Sequence, residues 1–311
     1  EAALIRFAKQ LSEVARGGSQ TEASRLSHSQ YEPRHFYREL PGKISANEKT
    51  QWIRALATKA AAYDPMIRQT VVTYMDEDQK VQIANSEGLL TEDRRIRTRT
   101  SVSCVAEHNG EMQTGTHNLG GLCGFELYRG ADPDALALKA ARIAVTMARA
   151  DHAPSGRLPV IIDNGFGGVI FHEACGHGLE AAFIAKGTSV FAGKLGEQIA
   201  SELVTAIDDG TLVNGWGSGH VDDEGTPTQR NVLIENGVLK SYLVDRFNGK
   251  KLGMASNGAG RRQSYKFAAT SRMSNTFIAP GQSKLKDMIS ETDYGLYASS
   301  MGGGSVNPAT G

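Results

Sequence analysis

The run His172-Glu173-Ala174-Cys175-Gly176-His177 constrains this chain more tightly than any other stretch of it. It gathers two imidazoles and a carboxylate within one short piece of backbone. Imidazole is a good zinc ligand at neutral pH, and a carboxylate beside it can take a proton from a metal-activated water. A regular helix forbids that use. At about 100° per residue, side chains at i and i+5 diverge by about 140°, whereas those at i and i+4 lie about 40° apart. One metal on both histidines therefore requires a widened, π-type turn, or a helix that ends near His177. Gly176 and Gly178 permit either distortion. The competing reading is a regular helix carrying two ordinary histidines on different faces.

Around this motif the pattern predicts an α+β fold, with helices packed on antiparallel or mixed sheets and a strand-rich C-terminal half. Apolar periodicity predicts a helix over residues 1–17, followed by a polar connection over 18–44. Ser45 and Glu48 have capping-box spacing, and Trp52, Ile53, Leu56 and Ala60 give the helix that follows an apolar face, ended by Asp64-Pro65. Residues 67–129 read as an antiparallel meander, with turns at 76–79 (DEDQ) and 108–111 (HNGE). The arginines of RIRTRT in that stretch are expected on a solvated strand face. Asp132-Pro133 opens a second helix. The character changes at about residue 156, which divides the chain into an N-terminal α+β region, 1–155, and a metal-motif region, 156–311. There RLPVIID reads as a buried strand and 164–168 as a glycine-rich turn into the motif helix. Asn236-Gly237 marks a hairpin.

Composition removes several function classes. Lys+Arg and Asp+Glu both number 34, so the formal charge is zero. Neutrality gives no electrostatic footprint for nucleic acid or an anionic membrane. No apolar run approaches the roughly 20 residues of a membrane span. Three cysteines in no framework spacing fit a reducing cytoplasm, and Cys104, Cys123 and Cys175 read as buried structural thiols. Three further residues are candidates for substrate binding. His220 lies beside Asp222, Asp223 and Glu224, a grouping that could make a second metal site, orient a ligand histidine or form a polar turn. Arg261-Arg262 could hold a peptide carboxylate in bidentate fashion or form a basic loop. Arg272 and Asn275 are weaker candidates.

Several segments resemble the TldD/PmbA family, specifically its motif-bearing TldD type. They are HEACGHGLEAAFIAKGTSVF, DDGT (208–211), DDEGTP (222–227), NVLIENGVLKSY (231–242), NGAGRRQSY (257–265), RMSNTF (272–277) and YGLY with the later GGG (294–304). The resemblance implies a zinc-dependent peptidase acting on peptides or unfolded polypeptides. In it His172 and His177 bind zinc and Glu173 is the general base. It also implies a third zinc ligand, a cysteine, in sequence beyond Gly311, and a start that corresponds to an internal helix of the family. The expected assembly is a homodimer or a heterodimer with a PmbA-like subunit. The alternative is a non-catalytic scaffold or partner subunit of such a complex. The presence of Glu173 disfavours it.

Overall fold

The structure, a computed structural model, describes residues 5–7, 9–10, 25–301 and 303–310. Most of the helix expected over 1–17 lies outside the described residues. Beyond them, Ser27–His28 forms β1. Ser45 caps α1 (Ala46–Ala61), its side chain accepting from the Glu48 N–H. A three-stranded meander follows, made of β2 (Ile67–Ala84), β3 (Leu89–His108) and β4 (Glu111–Gly121), with β1 paired in parallel to β3. Asp132 caps α2 (Pro133–Arg149) by accepting from the Asp134 N–H.

Residues 76–79, expected as a turn, instead continue β2. Opposite two of them in the ladder stand arginines of β3: Glu77 faces Arg97 and Gln79 faces Arg95. Asp78 receives a two-pronged ion pair from Arg94 at 2.9 and 2.6 Å. Opposite charges across strands compensate for the low strand preference of Asp and Glu. The chain reverses at residues 85–88, where the Asn85 side-chain oxygen accepts from the Glu87 and Leu89 N–H groups. The second reversal falls on Asn109-Gly110 as expected, both residues having positive φ.

The two faces of β3 do different work. Val102, Cys104 and Ala106 on one face pack on Leu56 and Ala60 of α1 and on Ala137, Ala140, Ala141 and Ala144 of α2, forming one hydrophobic core. Asp93, Arg95 and Arg97 on the other face meet the C-terminal region. Here the solvated-arginine expectation needs correction. Arg95 is buried, bonding Asp93 at 3.0 Å, Asp223 at 2.5 Å and the Val221 carbonyl at 2.9 Å. Arg97 donates to the Trp216 carbonyl at 3.2 Å. Arg99 is exposed and lies over the Trp216 ring.

Among the described residues the C-terminal region carries eight short strands: β5 (Val160–Ile162), β6 (Ala206–Asp209), β7 (Arg230–Glu235), β8 (Val238–Leu239), β9 (Gly260–Arg261), β10 (Thr270–Ser271), β11 (Thr276–Ile278) and β12 (Leu296–Ala298). Four form an antiparallel sheet in the order β11-β6-β7-β8. The β7–β8 hairpin turns at Asn236-Gly237, as the sequence predicts. A second core of Phe171, Leu179, Leu233, Ile234, Leu239, Tyr242 and Leu243 lies beneath the metal motif. β5, expected as a buried strand, is not one. It pairs in parallel with β12, and Val160 is 50% exposed.

Candidate metal centre

β5 leads through a 3₁₀ turn (Gly165–Gly168) into a single α-turn (Val169–Phe171) that buries Phe171 in the second core. The next five residues, His172–Gly176, form a π-helical turn, and the His177 N–H donates to the His172 carbonyl five residues back. A 3₁₀ turn over His177–Leu179 ends the helix, and Glu180 is extended. Both distortions permitted by the spacing therefore occur in succession. Gly176 allows the widened turn to pack closely, since a Cβ there would stand 2.2 Å from the Met273 sulfur. The exit is pinned to the neighbouring segment, with Ala181 N–H on the Leu243 carbonyl at 2.8 Å and Leu243 N–H on the Leu179 carbonyl at 2.9 Å.

The widened turn brings the side chains together. Ligand atoms of His172, Glu173 and His177 all lie within 4.8 Å of one another. The imidazoles meet edge to face with centroids 4.8 Å apart, and His177 Nε2 is 4.0 Å from a Glu173 oxygen. Burial, then the neighbouring His177, hold the His172 pKa below its ordinary value, which favours the neutral imidazole that a metal needs. Cys175 packs against the second core, where burial pushes its thiol pKa up. On the solvent side the tail runs past the motif. A Cβ on Gly304 would stand 2.7 Å from Glu173 Cγ, and the Val190 N–H donates to the Pro308 carbonyl at 3.2 Å.

Two residues that the motif arithmetic passes over sit behind His177. The Glu180 carboxylate is fully buried, and its Oε1 lies 2.9 Å from His177 Nδ1. Its Oε2 accepts from Arg272. Burial raises the Glu180 pKa despite the pull of Arg272 and His177. Only spacing could have signalled Glu180, three residues after His177 and so one turn on. Arg272 is one of the weaker sequence candidates, but nothing local ties it to Glu180, 92 residues away.

This donor set fits a zinc ion. With Nδ1 of His177 held by a carboxylate, Nε2 is the free donor. Zinc–nitrogen bonds of about 2.0–2.1 Å bring two such nitrogens to roughly 3.4 Å, a small side-chain adjustment from the observed cluster.

The other candidates lie elsewhere. His220 is buried, with Nδ1 2.8 Å from Asp93 and Nε2 accepting the Arg34 N–H at 3.1 Å, and Tyr31 stacks on its ring. Both nitrogens meet protein partners, and His220 clamps the 31–37 segment to β3. Arg261 turns inward to the Gly217 carbonyl, and burial followed by Arg95 lowers its pKa. Arg262 is exposed and bonds the Phe267 carbonyl. Asn275 braces the 209–218 loop, accepting from Gly217 N–H at 2.9 Å and donating to the Ser218 hydroxyl at 2.8 Å.

A two-histidine, one-carboxylate cluster on a widened helical turn, set in an α+β chain, is an arrangement that can hold a divalent metal ion. Residues 39–148 match the PmbA/TldA metallopeptidase central domain, and residues 155–311 match the PmbA/TldA metallopeptidase C-terminal domain. The chain belongs to the PmbA/TldD metallopeptidase family. The "Metalloprotease TldD homolog" of Buchnera aphidicola subsp. Acyrthosiphon pisum is 38% identical over 86% of this chain and 57% of its own length. The "Zinc metalloprotease TldD homolog" of Saccharolobus solfataricus is 26% identical over 84% of this chain and 58% of its own. The chain thus spans under three-fifths of the length of these curated relatives. Among solved structures, TldE from Thermococcus kodakarensis shares the fold with a TM-score of 0.76 at 22% identity, over 97% of this chain and 68% of that one. A Thermotoga maritima protein, named as a candidate modulator of a DNA gyrase, does so with a TM-score of 0.77 at 24% identity, over 95% and 67%.

Proposed function

We propose that the chain carries the catalytic core of a zinc-dependent peptidase that hydrolyses peptides or unfolded polypeptides. The observation that supports it most directly is the π-turn, which gathers His172, Glu173 and His177 within 4.8 Å. His172 and His177 would hold the ion, with a further cysteine ligand contributed by additional sequence. When bound, zinc supplies the Lewis acidity that polarises a peptide carbonyl and acidifies a water. Glu173 takes the proton of the attacking water and returns it to the departing amine nitrogen. His172, neutral under burial, can serve as a ligand across the neutral pH range.

The protein containing this chain is proposed to act as a homodimer or with a PmbA-like subunit. Three unpaired thiols support a reducing, cytoplasmic setting. Among the described residues no helix is long and apolar enough to cross a membrane.

The test pairs metal analysis of the full-length protein with Glu173→Gln. The wild type should bind zinc and cleave an unfolded polypeptide. The variant should keep fold and zinc but lose at least about 10²-fold in turnover, the usual scale for a general base. Near-normal turnover would move the base to another residue, and a wild type that binds no zinc would end the peptidase reading.

A further inference from the structure

We propose that Glu180 and Arg272 are positioning residues that fix the tautomer of His177 and so decide which of its nitrogens is free to bind. This inference rests on the metal reading of the cluster. Glu180 lies in the core with none of its surface exposed, where a carboxylate needs partners for both oxygens. Its Oε1 meets His177 Nδ1 at 2.9 Å, and its Oε2 takes the Arg272 guanidinium. The backbones of Glu180 and Arg272 are both anchored, although the Arg272 side chain is itself half exposed. Glu180 is held by the bonds of its chain neighbours to Leu243. Arg272 follows β10, which pairs with β9, and its own N–H bonds the Ala259 carbonyl at 2.9 Å. Met273, the next residue, fills the space against Gly176 of the widened turn.

Donor and acceptor chemistry orders the three groups. Arginine has only donors, so the Glu180 oxygen facing it must accept. The carboxylate has only acceptors, so the His177 nitrogen facing it must donate. Nδ1 therefore carries the hydrogen, and the lone pair falls on Nε2, the atom 4.0 Å from Glu173. An ordinary ion pair sealing the core would share these contacts but would not need this order.

Glu180→Gln separates the two. Arg272 forces the amide oxygen toward itself, which turns the amide NH₂ toward His177 Nδ1. That nitrogen must then accept, and the hydrogen moves to Nε2. Long-range ¹⁵N–¹H NMR on histidine-labelled, metal-free, full-length protein reads the tautomer, and zinc titration reads its consequence. Wild type should show His177 as Nδ1–H. Glu180→Gln should show Nε2–H, with zinc affinity lower by about 10–100-fold, the usual cost of losing an outer-shell partner. In Glu180→Gln/Arg272→Met the amide is free to turn back, which should recover Nδ1–H and part of the affinity. An Nδ1–H tautomer with wild-type zinc affinity in Glu180→Gln overturns the relay. If that variant does not fold, Arg272→Met, which removes the partner that holds Glu180 Oε1 against His177 Nδ1, should weaken zinc at least about tenfold, and Arg272→Lys should restore most of it. Equal affinity in the Met and wild-type proteins overturns the relay as well. A predicted tautomer switch in a wild-type background that binds no zinc would uphold the relay and defeat the metal reading instead.

Discussion

Gly304 leaves no room beside Glu173: an added Cβ would come within 2.7 Å of its Cγ. The side chain that carries the proposed proton transfer is thus held by the absence of another side chain. Gly304→Val should displace it, and misplacement of a catalytic group by about 1 Å can cost up to about 10²-fold in rate. Turnover should fall while zinc content and melting temperature change little, since the tail is only lightly packed. An unchanged turnover number would detach the tail from the site. His35 offers a second single-residue lever. It is buried beside His220, and neither ring nitrogen has a hydrogen-bond partner among the described residues. Burial, and then His220, lower its pKa from the ordinary 6.5. A histidine with a lowered folded-state pKa binds its proton more readily unfolded. Its contribution is therefore complete above pH 6.5 and lost as pH falls below that value. Denaturant melts should show stability dropping between pH 7 and 5, and His35→Phe should flatten that drop. Asp93 acts in a separate, more acidic window. Burial would raise its pKa, but His220 and Arg95 outweigh burial and lower it.

At the scale of elements, the β2–β3 ribbon joins two kinds of arginine. Arg94 pairs with Asp78 at the surface, and Arg95, one residue on, is enclosed by Asp93 and Asp223. Removing one partner of a buried pair leaves an uncompensated charge, so Arg95→Ala should cost about 3–5 kcal/mol by denaturant unfolding. Arg94→Ala should change the midpoint little, because exposed pairs contribute little. If the two variants melt alike, Arg95 is better solvated than its setting implies. Sequence alone could not separate them, because alternation says which residues share a face and not what covers it. The same blindness explains residues 76–79. Asp, Glu and Gln in succession have turn composition, and the arginines that straighten them lie on another strand. What was legible was local. The i,i+5 spacing asked for a widened turn or a helix end if one metal is shared, Ser45 and Asp132 marked helix starts, and the Asn-Gly pairs marked hairpins. What was not legible was long-range. Glu180 needed Arg272 to acquire a meaning, and His220 needed Asp93 and the Arg34 backbone.

At the scale of the whole molecule, two cores are stitched together by polar bonds. Arg95 reaches Asp223, His220 reaches Asp93, and the 31–37 segment threads between them through Tyr31, Arg34 and Tyr37. Such a seam should couple the cores into one cooperative unit. Wild type should unfold in a single transition, and His220→Ala should split it or lower its denaturant slope. An unaltered single transition would place the coupling elsewhere. The ribbon that carries half of this seam also limits how the chain can change length. Its pairing runs without a shift from Gln69 opposite Val105 to Ala84 opposite Leu90, with the one irregularity at its root, between Ile67 and Gln69. One residue added or lost within that ladder would exchange its two faces, swinging arginines into the alanine-lined core and core residues onto the seam. Insertions and deletions of single residues are therefore confined to the tip at 85–88 and the root near Arg68, and the span between them can vary in composition but not in count.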